Sequence, residues 1–168
     1  RVPTPLTELL FKTVMKQGQH TDAFFSSNLS EKLNFSLAFK GLRSLGNYQN
    51  ILAGSKQFRF TSNYVSSNDK YNFKLHYVTQ SFENQENGGL TDESLMNFEK
   101  KDPLFNERSK LSVKFENATN NFTSKRYFIN QEFLLTRKKS NNLFSIGHNL
   151  EYETTKNIFE QSSPSEFY

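Results

Sequence analysis

Side chains that alternate between apolar and polar leave few folds open, because a period of two belongs to extended strands whose faces meet different surroundings. The alternation is clearest from Leu33 to Lys40. There Leu33, Phe35, Leu37 and Phe39 fall on one face, and Asn34, Ser36, Ala38 and Lys40 on the other. A helix would scatter these residues around its circumference. The pattern recurs with Phe58, Phe60 and Tyr64 against Gln57, Arg59, Thr61 and Asn63, and with Tyr71, Phe73, Leu75 and Tyr77 against Asn72, Lys74, His76 and Gln80. Further on, Leu111, Val113 and Phe115 alternate with Lys110, Ser112, Lys114 and Glu116. Tyr127, Ile129, Phe133 and Leu135 alternate with Arg126, Asn130 and Glu132, and Phe144, Ile146, Leu150 and Tyr152 with Ser145, Asn149, Glu151 and Glu153. Weaker stretches at Thr7 to Met15 and Thr21 to Leu29 bring the expected number to about eight strands.

Several of these stretches run to about 10–12 residues. Globular strands average about 5–6, whereas a tilted strand needs about 9–11 to cross a bilayer. The connections point the same way. Ser30-Glu31-Lys32 and Ser66 to Lys70 read as short polar turns, while Leu45 to Ser55 and Asn84 to Glu107 read as longer loops. Short turns at one end and long loops at the other mark outer-membrane barrels. Composition adds a constraint: only 35% of the residues are hydrophobic, yet 15% are aromatic, with 18 Phe and 7 Tyr. That is too little for a thick two-sided core and too aromatic for a chain that buries nothing. Tyr64, Tyr71, Tyr77, Tyr127 and Tyr152 flank the Phe-rich stretches as interface girdles would.

Other classes are disfavoured. Lys plus Arg number 21 against 17 Asp plus Glu, interspersed, so no basic stripe suggests nucleic acid. The absence of Cys removes disulfides and thiolate chemistry. No apolar run reaches the roughly 18 residues of a membrane-spanning helix. The chain opens Arg1-Val2-Pro3 without Met, and is expected to be a processed or partial one, incomplete at both ends.

Candidate sites are few. His20, His76 and His148 have no second ligand at metal-binding spacing, and no Ser sits in a nucleophile motif. The acidic loop with Glu86, Asp92, Glu93, Glu99 and Asp102 matches no calcium-binding spacing and reads as solvated charge. No cofactor and no catalytic residue is expected. In the same loop Leu90, Leu95, Met96, Phe98 and Phe105 are too apolar for a free segment, and are expected to form a constriction or a docking surface. If the apolar face meets lipid, the lipid-facing residues are Leu33, Phe35, Leu37, Phe39, Phe58, Phe60, Phe73, Leu75, Tyr77, Ile129, Phe133, Ile146 and Leu150. The lumen-lining ones are then Lys40, Arg59, Lys74, His76, Lys110, Lys114, Arg126, Glu132, Glu151 and Glu153. Their basic excess would bias an open lumen weakly toward anions, unless the charges pair across the wall.

The stretches Thr4 to Val14, Asp22 to Phe25 and Leu33 to Tyr48, and the loop Asn84-Gln-Glu-Asn-Gly-Gly-Leu90, resemble the Putative porin family of Bacteroidota outer membranes. The resemblance implies an antiparallel transmembrane β-barrel in a Gram-negative outer membrane, with residues 1–168 forming one region of a larger barrel. It also implies that residues 84–107 form a long extracellular or lumen-folded loop, and it supplies no catalytic residue. The expected function is passive diffusion of small polar solutes. The alternative is a non-conducting structural or accessory barrel subunit of an outer-membrane secretion or assembly complex. Expected partners are outer-membrane lipid and, for the alternative, neighbouring barrels or surface lipoproteins. A complete eight-stranded small barrel and a soluble ligand-binding β-barrel are further readings of the same alternation.

Overall fold

The computed structural model describes residues 3–14, 18–101, 103–136 and 144–162. They form one antiparallel sheet of seven strands in sequence order. The strands are β1 (Leu6–Val14), β2 (Gly18–Ser30), β3 (Leu33–Ser44), β4 (Ala53–Val65), β5 (Tyr71–Glu86), β6 (Ala118–Leu134) and β7 (Ser145–Gln161). Each pairs only with its sequence neighbours, so β1 and β7 are open edges. Among the described residues the only helix longer than a single turn is α1 (Asp92–Glu99), in the β5–β6 connection. Among the described residues no helix is long and apolar enough to cross a membrane.

The strands are long: 13 residues in β2 and β4, 16 in β5, and 17 in β6 and β7. Their pairing runs without a slip, save for one irregularity between Asn28 and Ser30 beside the β2–β3 turn. The turn geometry anchors that register. At the β4–β5 turn Asn68 Oδ1 accepts hydrogen bonds from Ser66 Oγ at 2.6 Å and from the Lys70 amide at 3.1 Å. The Ser66 hydroxyl accepts one from the Tyr71 amide at 2.9 Å, and Asp69 takes a positive φ of 56°. Lys32 of the β2–β3 turn reaches Asp69 at 2.6 Å and ties two neighbouring turns at one end of the sheet.

Two expectations are corrected. Residues Leu111 to Glu116 form no strand, so the described residues hold seven, and the connection between β5 and β6 runs from 87 to 117. The apolar members of that stretch turn inward locally: Leu111 is fully buried, Val113 is 5% exposed, and Val113 makes an isolated bridge to Leu90. Two-residue alternation there reflects a small loop core and not a sheet. Conversely, β6 begins at Ala118 and runs through Asn120, Asn121, Phe122, Thr123 and Ser124, a stretch that reads as a connection because a lone Phe makes no apolar face. Pairing with Phe82 to Glu86 of β5 holds it extended regardless of its own weak β propensity. Residues Arg137 to Asn142, whose polar sequence reads as a connection, lie outside the described residues.

The long connection folds into a compact cap with the β3–β4 loop. Asn50 donates to the Glu86 and Phe115 carbonyls at 2.9 and 3.1 Å, and Gln49 donates to the Ser109 carbonyl at 2.9 Å. Within it, the Thr91 hydroxyl caps α1 by accepting from the Ser94 amide, and the Ser94 hydroxyl accepts from the Ser112 amide at 2.8 Å. Because Leu111 anchors this cap and not the sheet, Leu111→Ala is expected to cost about 2–5 kcal/mol locally. Amide hydrogen exchange checks this: cap amides should lose protection, whereas β3 to β6 amides should keep theirs.

Candidate functional site: a two-faced strand wall

Register assigns every strand residue to a face, because directly paired residues of neighbouring strands share one. One face collects Leu9 and Phe11 of β1, Phe25 of β2, and Leu33, Phe35, Leu37 and Phe39 of β3. It continues with Phe58, Phe60 and Tyr64 of β4 and Tyr71, Phe73, Leu75 and Tyr77 of β5. Tyr127, Ile129 and Phe133 of β6 and Ile146, Leu150 and Tyr152 of β7 complete it. All the residues expected on the apolar face therefore come together on one side of one sheet. Aromatic contacts bind them laterally: Phe25 to Phe35 at 5.7 Å, Phe58 to Tyr77 at 6.4 Å, and a Tyr77–Tyr127–Tyr152 ladder with centroids 4.9 and 6.2 Å apart. Each such pair adds about 0.5–1.5 kcal/mol beyond burial.

Among the described residues nothing covers this face. Leu9 is 78% exposed, Phe11 67%, Ile146 62% and Leu150 59%, and the buried apolar residues among those described are Leu111, Val113 and Ala118. Tyrosines bound the apolar run on β5. Tyr71 and Tyr77 enclose Phe73 and Leu75, and beyond Tyr77 the same face turns to Thr79, Ser81 and Glu83. On β6 and β7 it turns to Lys125, Thr123, Thr154 and Lys156.

The opposite face is polar and carries Lys40, Arg59, Lys74, His76, Arg126, Glu132, Glu151 and Glu153. Small residues lie beneath the longer ones: Ser26, Ser36 and Ser124 are at most 9% exposed. Ser36 and Thr61 share a 2.6 Å hydrogen bond, and the Ser124 hydroxyl donates to Glu153 at 3.1 Å. One paired row runs Asn28, Asn34, Asn63, Lys74, Asn130 and Asn149, with Asn34 donating to Asn28 at 2.8 Å and Asn130 to Asn149 at 2.5 Å. Phe24, Phe82, Phe122 and Phe128 interrupt this polarity, and Phe82 and Phe122 pack together at 6.0 Å.

Register also revises the charge balance. Lys110 and Lys114 sit in the cap and not on a strand, so alternation no longer assigns them to the polar face. Asp22 and Glu8, unmarked by any clear alternation, do lie on it, since Asp22 pairs with Lys40 and Glu8 with Phe24. Strand residues of that face then include Lys12, Lys40, Arg59, Lys74 and Arg126 against Glu8, Asp22, Glu86, Glu132, Glu151 and Glu153. Opposite charges meet across strands: Lys40 lies 3.0 Å from Asp22, and Arg126 lies 2.7 Å from Glu151. The basic excess inferred from alternation is absent.

The remaining candidates separate. Leu90 and Phe105 are half-buried in the cap, whereas Leu95, Met96 and Phe98 of α1 are 46%, 52% and 43% exposed. His20 and His76 lie on the polar face and His148 on the apolar one, level with Gln131. No three potential metal ligands converge among the described residues.

A single layer of long, sequentially paired antiparallel strands, apolar on one side and polar on the other, defines an all-β protein built on one two-faced sheet. The model of the family described as Putative porin matches residues 1–168, and the chain belongs to that family. No curated protein and no solved structure matches it. Membership supports a porin-like channel or structural role in preference to an enzymatic one.

Half-exposed ion pairs in such a wall hold register more than they add stability. For Arg126→Gln and Glu151→Gln, with side chains 44% and 45% exposed, a double-mutant cycle in urea should return a coupling of about 1 kcal/mol or less.

Proposed function

We propose that the chain is part of the wall of an outer-membrane β-barrel through which small polar solutes diffuse passively. The observation that carries this reading is the uncovered apolar face: a soluble sheet would need a second layer over Leu9, Phe39, Phe133 and Leu150. Lipid supplies such a layer without further protein. Closure of the sheet by additional strands would then satisfy the β1 and β7 edges, since no unpaired backbone is tolerated in hydrocarbon.

The slant of the apolar belt supports the same reading. Leu9 is level with Phe39 and Phe58, yet also with Thr79, Lys125 and Thr154. Following apolar residues from β1 to β7 means descending from the level of Thr154 toward Leu150 and Ile146, about six residues or roughly 20 Å along the strand. Six strand spacings measure roughly 29 Å. A level belt thus requires strands inclined by roughly 35°, at the edge of the ~35–45° of membrane barrels. On this reading the cap and the short turns lie at opposite ends, and the polar face with its paired charges lines the lumen. Balanced charge predicts a pore with little preference between anions and cations.

One observation favours a structural subunit instead. The cap presents Leu95, Met96, Phe98 and Leu104, the last 73% exposed, which together suit docking to a neighbouring barrel or a surface lipoprotein.

Planar-bilayer recording of the intact protein separates the two. Ohmic steps that scale with salt are expected for diffusion, and a silent, correctly inserted protein would transfer the assignment to the structural role. Face assignment is tested apart from conduction. Ile129→Arg should cost about 2–4 kcal/mol in vesicle folding, while Asn130→Arg, one residue on and on the opposite face, should cost about 1 kcal/mol or less. Equal penalties would contradict the assignment of Ile129 to lipid.

A further inference from the structure

The two longer loops form an open cavity of about 1000 Å³ at the cap, lined among others by Leu45, Tyr48, Ile51, Leu52, Asn106 and Arg108. Its walls are built and not left to chance. The Leu52 amide donates to Gln85 Oε1 at 3.1 Å and Asn87 donates to the Gln49 carbonyl at 3.2 Å, in addition to the bonds from Gln49 and Asn50 that stitch the loops together. Gly46 has a φ of 72°, and a Cβ there would lie 2.3 Å from Ile51 Cδ1, so Ile51 is seated against bare backbone. Asn50 also holds a positive φ of 51°. Backbone strain and cross-loop bonding at a loop pair that carries no sheet are the expense of a preorganised concavity.

The chemistry of the cavity is uneven. Arg108 places its guanidinium carbon 5.6 Å from the Tyr48 ring centroid, and among the described residues it has no carboxylate partner. The neighbouring Glu107 is engaged 3.4 Å from Lys110. A single planar cation backed by an aromatic ring, in a lining that mixes Leu45, Ile51 and Leu52 with Asn47, Asn50 and Asn106, matches a single planar anion attached to a hydroxylated or amide-bearing body. Glu107 beside it disfavours a doubly charged phosphate. The volume admits more than a bare carboxylate, and reaches the upper part of the range of small-molecule sites.

We propose that this cavity is a recognition site for a small carboxylate-bearing solute, held by Arg108 over Tyr48. The carboxylate has two plausible sources in an aqueous exterior, an acidic sugar or a peptide C-terminus, and the chemistry at Arg108 is common to both. The site does not require an open lumen, so it stands or falls independently of solute diffusion.

Isothermal titration of the intact protein in detergent with glucuronate, N-acetylglycine and glucose tests it. One saturable site is expected for a carboxylate and none for glucose; the tighter of the two carboxylates identifies the source. Arg108→Gln should weaken carboxylate binding by about tenfold, and Arg108→Lys, which keeps the charge and loses the fork, by less. Glucose binding as tightly as glucuronate, no carboxylate binding at all, or carboxylate binding unchanged in Arg108→Gln would each overturn the site. Binding by a protein that is silent in the bilayer would uphold the site while removing diffusion as its purpose.

Discussion

Backbone pairing between sequence neighbours is the constraint on which the rest of the structure depends. Six antiparallel pairings follow one another with a single irregularity at the β2–β3 turn. A shift of one residue in any pairing would send Phe58, Leu75 or Ile129 to the polar face and Arg59, Lys74 or Arg126 to the apolar one. The turn hydrogen bonds around Ser66 and Asn68, and the Lys32–Asp69 pair between turns, hold the register where the strands begin. The aromatic ladder through Tyr77, Tyr127 and Tyr152 reinforces it midway.

Because the sheet is one layer thick, its energetics are unlike those of a globular domain. Side chains on the apolar face gain from lateral aromatic contact but retain much of their exposure, and the buried apolar residues described lie in or beside the cap. An environment must supply what the chain does not. On the function proposed above that environment is lipid, and the Tyr-bounded run on β5 would sit in it between polar ends.

The cap is the one part of the chain that folds on globular terms. It spends loop hydrogen bonds, a small core and positive-φ positions on rigidity at one end of the sheet. Rigid loops at the mouth of a wall give a fixed surface for recognition, and leave the strand register free to serve the wall alone.

The division between what was legible in the residues and what was not follows from the range of the interactions. Period-two alternation is local, so the strands around Leu33 to Lys40, Gln57 to Val65 and Tyr71 to Gln80, and the face of each residue in them, could be read directly. Where pairing partners and not alternation decide the outcome, the reading fails in both directions. Ala118 to Lys125 has no apolar face, with Phe122 its one large apolar residue, and is a strand because β5 and β7 pair with it. Leu111, Val113 and Phe115 alternate well, yet form no strand because their partners are Leu90 and the β3–β4 loop. The same limit applied to charge. Lys40 and Arg126 were assignable to the polar face, but Asp22 opposite Lys40 and Glu151 beside Arg126 became partners only through register. The meeting of Tyr48 with Arg108, sixty residues apart in chain order by number alone, had no signal in the sequence. Local hydrophobic pattern determined the wall, since each strand carries its own two faces; tertiary structure decided the cap, the charge pairing and the cavity, since these arise only where distant segments meet.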